Sequence, residues 1–251
     1  MRPQEDQTRF TESSWMSSNL GPSAQQALIS HQRSWSPYVD NGGTVLALAG
    51  RDYAVVAADT RFSVGFSVPS RNLTKIVRLT DQAVLASAGM GADRQYLHKI
   101  LRSRLEVYKY QHQKQMSLSA IAQLLSNTLY SRRFFPIYAF NVLGGIDDNT
   151  GEGFVFGYDA IGSFEKVKVV CSGSGQTLVQ PVLDQQLAGR QKYDLPDDQR
   201  MASLSLDEAI ELTRDVFNSA AERDILTGDA VEIYAVTGSG VRYERHSLRQ
   251  D

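Results

Sequence analysis

The chain has 251 residues, 42% of them hydrophobic, and its 26 basic and 28 acidic residues give a formal net charge of −2 at pH 7. A chain of this length buries a substantial core, and no linker interrupts its periodic part, which favours one domain. Because the two signs of charge are mixed, the composition argues against nucleic acid as the main partner. No run of eighteen apolar residues occurs, so neither a membrane span nor a secretory signal is predicted.

Cysteine and histidine usage limits the chemistry further. The single cysteine, Cys171, excludes an internal disulfide and a thiolate metal cluster, and it is typical of a reducing, intracellular compartment. The four histidines are scattered without a second ligand at metal spacing: His31, His98, His112 and His246. We therefore predict no metal site and no cofactor.

The first part of the chain differs from the rest in composition. Residues 1–36 are rich in serine and glutamine and show neither helical nor strand periodicity. Such a segment does not carry enough apolar residues to build its own core. We predict a flexible leader or propeptide over residues 1–36 and one folded domain over residues 37–251.

After Gly43 the pattern changes to short strands and then to two amphipathic helices. The runs TVLALA and YAVVAA, joined by the turn GRD, predict a hairpin, and a second pair of strands follows across a Thr-Asp turn. Two segments then repeat apolar residues at three- and four-residue steps, and Ser117 is placed to cap the second helix. The predicted elements are strands at 44–49, 53–58, 74–79 and 82–89, and helices at 93–110 and 117–130.

The second half repeats this order of strands followed by helices. Pro181 lies inside a predicted helix and indicates an early bend or a late start. Ser205 and Glu208 form a capping-box pattern that opens a helix through Ala221. The predicted elements are strands at 138–147, 153–159, 165–170, 230–237 and 241–248, and helices at 175–188 and 205–221. This order predicts an α+β fold of two stacked, mostly antiparallel sheets whose outer faces are covered by helices.

Three local motifs have simple structural interpretations. GMGADR at 89–94 lacks the last glycine of a dinucleotide fingerprint and indicates a helix that begins after a turn. CSGSGQT at 171–177 lacks G-x-S-x-G spacing, so Ser174 is not predicted to be a nucleophile-elbow serine, and a tight turn into a helix is favoured. SRRFF at 131–135 has too few cations for a nucleic-acid surface and favours an interface or an ion-pair site.

Thr44 offers a specific chemical hypothesis. A threonine at the first position of a chain is activated by its own α-amine, whose ordinary pKa of about 7.7–8.0 lets it accept a proton near neutral pH. Cleavage after Gly43 would expose such a threonine. A neighbouring cation would lower the pKa of that amine, and acidic residues would hold the cation in place; Lys75, Asp59 and Asp224 are the candidates.

Several long motifs resemble one known family. NGGTVLALAGRDYAVVAADTR at 41–61, TKIVRLTD at 74–81, SGSGQTLVQPVLD at 172–184 and SAAERDILTGDAVEIYAV at 219–236 are similar to β subunits of the proteasome core particle, which belong to the N-terminal nucleophile hydrolase superfamily. The resemblance covers about residues 34–251. It implies a four-layer αββα sandwich of two antiparallel sheets flanked by helices.

The same resemblance implies a place in an assembly. WSPYVDNGGT, LYSRRFFPIYAFNVLGGID and the closing SLRQD are most similar to the subunit at the sixth position of the β ring. Its implied partners are the other β and α subunits of a stacked-ring particle, with the catalytic beta type-5 and the non-catalytic beta type-4 subunits adjacent. The implied activity of the particle is ATP- and ubiquitin-dependent proteolysis, in the cytoplasm and the nucleus.

The resemblance also locates the site residue by residue. In active members the nucleophilic threonine lies sixteen residues before the aspartate of the AAD motif and thirty-two before the site lysine. Those positions are Asp59 and Lys75 in this chain, and both counts lead back to Gly43. The remaining site positions are Ser174, Asp224 and Thr227. The resemblance therefore implies a degenerate, non-catalytic site, because glycine carries no nucleophile.

Thr44 lies one residue later than the nucleophile position. Since side chains alternate faces along a strand, its hydroxyl is expected to point away from Lys75. An active threonine endopeptidase that uses Thr44 after cleavage at Gly43 is the alternative. We further predict that Asp147, in the sequence GGID, contributes to the substrate pocket of the beta type-5 neighbour.

Overall fold

The computed structural model describes residues 36–187 and 204–250. The chain divides into the units Met1–Pro37 and Tyr38–Asp251, and the second unit contains all the strands and helices named below. Residues 1–35, which make up nearly all of the predicted leader, lie outside the described residues, as does the end of the helix predicted at 175–188. Within the described ranges, no helix is long and apolar enough to cross a membrane.

The described residues form strands and helices close to those predicted. The strands are β1 (Thr44–Ala49), β2 (Tyr53–Asp59), β3 (Phe62–Val64), β4 (Ser67–Ser70), β5 (Ile76–Arg78), β6 (Ala83–Gly89), β7 (Ala139–Ile146), β8 (Gly153–Tyr158), β9 (Phe164–Val167), β10 (Val169–Gly173), β11 (Ala230–Thr237) and β12 (Gly240–Ser247). The helices are α1 (Gly91–His112), α2 (Leu118–Tyr130), α3 (Gln176–Gln186) and α4 (Leu206–Arg223).

The strands form two five-stranded antiparallel sheets and one small ribbon. The first sheet has the order β10-β1-β2-β11-β12, and the second has the order β5-β6-β7-β8-β9. The strands β3 and β4 pair only with each other. The sheets pack face to face, and each carries two helices on its outer face, so the predicted four-layer αββα sandwich is confirmed.

Alternating side chains along β1 explain how this strand contacts two layers. Val45 and Ala47 point toward the second sheet and pack with residues such as Val84 and Val142. Leu46 and Leu48 point the other way and pack with apolar residues of α3 and α4. Because every residue of β1 is buried, the strand reads as a continuous apolar run. Shortening Leu46 to alanine would cost about 2–5 kcal/mol.

The second sheet is covered in the same way on its outer face. Leu85 of β6 and Leu143 of β7 pack against Leu97 of α1 and Leu125 of α2. The start of α2 is fixed by the Ser117 side chain, which accepts a hydrogen bond from the Ala120 amide. The first turn of α1 lies next to the entrance of β1, where the candidate site lies, because the Gly91 amide donates to Oδ1 of Asn41.

One predicted strand is in fact two. The run at 165–170 belongs to β9 of the second sheet up to Val167 and to β10 of the first sheet from Val169. The prediction of a single strand is wrong because a β pattern gives the conformation of a segment and not its pairing partner. The short ribbon of β3 and β4 was also missed, since strands of three and four residues are too short to give a clear alternating pattern.

The predicted ends of the other elements need smaller corrections. The helix that contains Pro181 begins at Gln176, so a late start is wrong, and the turn through Gly173 leads directly into it. The GMGADR motif places the start of α1 at Gly91, as predicted for a helix after a turn. Ser205 and Glu208 form both hydrogen bonds of the predicted capping box.

Candidate functional site

Gly43 lies at the entrance of β1 and faces the buried lysine. Its φ is +89°, in the left-handed region that favours glycine. A Cβ atom at this position would clash with Cε of Lys75, and it would lie 2.9 Å from Nζ of Lys75 and 3.0 Å from Oδ1 of Asp59. Position 43 is therefore the point at which a side chain would meet both Lys75 and Asp59.

Lys75 and Asp59 form a fully buried ion pair. Asp59 is the last residue of β2, and Lys75 directly precedes β5, so the pair joins the two sheets. Nζ of Lys75 lies 3.1 Å from Oδ1 of Asp59, and it donates to the carbonyl oxygens of Asp59 at 2.9 Å and Arg61 at 2.6 Å. All three protons of the ammonium group thus have acceptors.

Burial and pairing have opposite effects on both pKa values. Burial lowers the pKa of Lys75, and the Asp59 carboxylate opposes this shift. Burial raises the pKa of Asp59, and the Lys75 ammonium opposes the shift together with the backbone N–H groups of Thr44 and Gly228. The pair is held in a low-dielectric environment in which losing either partner is costly.

Thr44 is buried on the other side of the strand entrance. Its amide donates to Oδ1 of Asp59 at 2.8 Å. Its hydroxyl oxygen accepts a hydrogen bond from the Gly175 amide at 2.9 Å and lies 2.6 Å from the hydroxyl of Thr227. The Thr44 hydroxyl thus links β1 to the start of α3 and to the loop after α4.

Ser174, Asp224 and Thr227 form a second polar group around Gly43. Asp224 caps the C-terminus of α4, and its Oδ2 accepts hydrogen bonds of 2.6 Å from both hydroxyl groups. The Ser174 amide donates to the Gly43 carbonyl at 3.0 Å. The structure therefore brings together all six predicted site positions: Gly43, Asp59, Lys75, Ser174, Asp224 and Thr227.

The residues just before Gly43 are also part of this site, and the sequence did not point to them. Oδ1 of Asn41 accepts from the Gly91 amide at the start of α1 at 2.7 Å, and its Nδ2 donates to the Ser63 carbonyl at 3.0 Å. The Tyr38 hydroxyl donates to the Pro136 carbonyl at 2.7 Å. The segment before Gly43 is thus held by hydrogen bonds to β3, to the start of α1 and to the segment before β7. The only related signal in the sequence is the turn motif DNGG. This motif predicts a turn but does not identify the residues to which the segment binds.

Two other predicted features lie away from Gly43. Asp147 directly follows β7 and is 7% exposed; its Oδ2 accepts hydrogen bonds from the Asn149 and Thr150 amides within its own turn. At the end of α2, Phe134 is 99% exposed, and Nη2 of Arg132 donates to the Tyr96 hydroxyl. Among the residues that the structure describes, no cluster of His, Cys, Asp and Glu could hold a metal ion.

The fold and the site together define a class of protein. An αββα sandwich that gathers a lysine, two aspartates and a serine around the entrance of its first strand has the architecture of an N-terminal nucleophile hydrolase. The chain belongs to the proteasome subunit family, whose sequence model matches residues 39–236. The resemblance to this family that the motifs predicted is confirmed.

Individual relatives match nearly the whole chain. Proteasome subunit beta type-1 of Arabidopsis thaliana is 53% identical over 218 residues, which cover 87% of this chain and 97% of the relative. The protein of the same name from Petunia hybrida is 51% identical over 224 residues, covering 89% of this chain and 100% of the relative. Proteasome subunit beta type-6 of Saccharomyces cerevisiae is 36% identical over 241 residues, covering 94% and 99%.

Proposed function

We propose that this chain is a non-catalytic, structural β subunit of the proteasome core particle, at the position that its relatives named beta type-1 occupy. The observation that carries the proposal is Gly43. A side chain at position 43 would lie against Lys75 and Asp59, and glycine supplies no hydroxyl or thiol there. Without such a group no acyl intermediate forms at this position.

Thr44 supports the same proposal. Its hydroxyl is fully buried and bonded to Gly175 and Thr227, so it has the contacts of a structural residue. Its nitrogen is a backbone amide that donates to Asp59, and an amide has no basic lone pair with which to activate the hydroxyl. The alternative, an active threonine endopeptidase, requires cleavage after Gly43 and a turn of the Thr44 side chain toward Lys75.

The intact mass of this chain, taken from the purified particle, tests the proposal directly. We expect a mass that includes Gly43 and at least one residue before it. A chain that begins at Thr44 would favour the catalytic alternative. In the same preparation, an electrophilic peptide probe should label other subunits and leave this chain unlabelled.

The variant Thr44→Val separates the two functions further. Valine keeps the shape of threonine and removes its hydroxyl, so a structural Thr44 predicts lower stability with unchanged peptidase activity of the particle. Thr44→Ser is the matched control, since serine keeps the hydroxyl. Loss of one peptidase activity in Thr44→Val, retained in Thr44→Ser, would contradict the proposal.

The proposal extends to the neighbours and the location of the subunit. We place it in a hetero-oligomeric stacked ring, next to the beta type-5 and beta type-4 subunits, in the cytoplasm and the nucleus, where the particle carries out ATP- and ubiquitin-dependent proteolysis. The exposed side chains of Phe134 and Phe135 at the end of α2 suit burial in such an assembly.

We propose that Asp147 contributes to the substrate pocket of the beta type-5 neighbour. Because its Oδ2 already accepts hydrogen bonds within its turn, the residue would act by holding the turn in shape as much as by contacting substrate. We expect Asp147→Ala to raise the KM of that neighbour for peptide substrates, with Asp148→Ala as the matched control on the exposed side of the turn. An unchanged KM would refute this role.

A further inference from the structure

A cleft adjacent to the Lys75–Asp59 pair opens between α1, β5 and β11. It has a volume of about 650 Å³, and its walls include Arg94 and His98 of α1, Ile76 of β5, and Glu232 and Tyr234 of β11. We refer to it as the Arg94 cleft. β5 is an edge strand of the second sheet, so the cleft lies beside an open sheet edge.

Arg94 is a buried cation in the wall of this cleft. The residue closes the first turn of α1 and is 1% exposed. Neither Nη1 nor Nη2 has a hydrogen-bond partner within the described part of the chain. Asp59 exerts an electrostatic influence on Arg94, but that carboxylate is already bonded to Lys75. A guanidinium group in this state destabilises the chain unless a partner reaches it.

Glu232, on the wall formed by β11, is also incompletely paired. It is 7% exposed, and its Oε1 accepts a hydrogen bond of 3.2 Å from the Tyr243 hydroxyl. Its Oε2 is buried and has no hydrogen-bond partner among the residues that the structure describes. One cleft therefore contains a donor group and an acceptor atom that both lack a partner.

Cations outnumber carboxylates along the rest of the cleft, although Arg78 also pairs with Asp81. Lys99 and Arg102 follow on the exposed face of α1, and Arg78 lies at the end of β5. His98 adds no charge near neutral pH, because burial and the cations Arg94 and Arg102 lower its pKa to about 3. The cleft thus attracts an anionic group.

We infer that the Arg94 cleft receives an acidic side chain from an adjoining proteasome subunit, with the carboxylate on the Arg94 guanidinium. A peptide segment provides both a carboxylate for Arg94 and an N–H donor for Oε2 of Glu232. A simple anion satisfies only the first of these groups. The inference rests on the proposed place of the chain in the ring, and it adds a residue-level contact to it.

The assembled particle is the sample that tests this contact. Particles that contain Arg94→Met are compared with wild-type particles and with Lys109→Met, which removes a cation from an exposed part of the same helix outside the cleft. Native mass spectrometry in rising urea measures the fraction of this subunit that is released. We expect release of the Arg94→Met subunit to increase about thirtyfold or more, as for the loss of one partner of a buried charge pair. Release of the Lys109→Met subunit should match wild type.

A second variant covers the case in which Arg94→Met does not fold. Arg102→Glu changes only an exposed charge at the rim and should raise release in the same direction by a smaller factor. Wild-type release by Arg94→Met and Arg102→Glu particles would overturn the inference, while incorporation of the subunit would leave the proposed function intact. The inference would also be overturned if sodium acetate stabilised the unassembled wild-type chain while the variant particles released the subunit like wild type. The cleft would then be a site for a small anion.

Discussion

The buried pair of Lys75 and Asp59 gives the sharpest prediction about the core of the site. In Lys75→Met, the Asp59 carboxylate loses its only ion-pair contact of 3.1 Å in the described structure, and the carbonyl oxygens of Asp59 and Arg61 lose a donor. Breaking one partner of such a pair costs about 3–5 kcal/mol, which corresponds to a fall in Tm of about 6–20 °C for a domain of this size. Lys114→Met, at an exposed loop position, is the control and should change stability by less than about 0.5 kcal/mol.

The pH dependence of two single variants should have opposite signs. In Lys75→Met, the uncompensated burial raises the pKa of Asp59 above its unfolded value, so the folded state binds more protons and stability falls as the pH rises above about 4. In Asp59→Asn, burial lowers the pKa of Lys75, so the unfolded state binds more protons and stability increases toward about pH 10.

Urea unfolding of the full chain, followed by far-UV circular dichroism between pH 5 and 9, measures both slopes relative to wild type. The double variant Asp59→Asn/Lys75→Met should lose less stability than the sum of the single losses, because the second change removes a group that the first left unpaired. Parallel pH slopes, additive losses, or a loss below about 1 kcal/mol in Lys75→Met would refute this reasoning.

Three further predictions concern the surroundings of the pair. Gly43→Ala should cost more than Gly65→Ala, since both positions have positive φ but only the Cβ at 43 would contact Lys75; equal losses in thermal melts would contradict the geometry. The pKa of His98 is about 3 in the folded state, so below about pH 6.5 only the unfolded state binds the extra proton and the wild type loses stability. In His98→Gln this loss on acidification should be smaller. An NMR titration that gives the His98 imidazole its ordinary pKa would disprove this. Asn41→Ala should cost about 1–3 kcal/mol through two lost hydrogen bonds, and a neutral result in urea unfolding would show that the segment before Gly43 is not held by them.

The sequence predicted those parts of the fold that depend on local pattern. The hairpin of β1 and β2, the helix opened by Ser205 and Glu208, and the turn through Gly173 all follow from residues that lie close together in the chain. The division of the run at 165–170 between two sheets did not follow, because pairing partners are chosen by long-range packing.

In the candidate site, too, the sequence predicted the residues that lie in motifs and not the contacts between distant segments. Its residues were located by counting along motifs, and the structure brings them together. The contacts that no motif carries were missed: Asn41 to the start of α1, and the unpaired groups of Arg94 and Glu232 in one cleft. Arg94 and Glu232 are far apart in the chain and line one cleft only in the folded structure, so the sequence around one residue does not predict its proximity to the other.

The persistence of a lysine and two aspartates around a glycine has a structural explanation. Lys75 and Asp59 connect the start of β5 to the end of β2, and Asp224 connects the end of α4 to the turn before α3 through Ser174. Each of these groups is buried or bonded to segments far apart in the chain, so replacing one alone leaves an unpaired polar group in the core. Position 43, where the proposed function has no reacting group, is different, because glycine has no side chain that takes part in these hydrogen bonds. On the proposed function, Lys75, Asp59 and Asp224 are retained by their contribution to stability and not by catalysis.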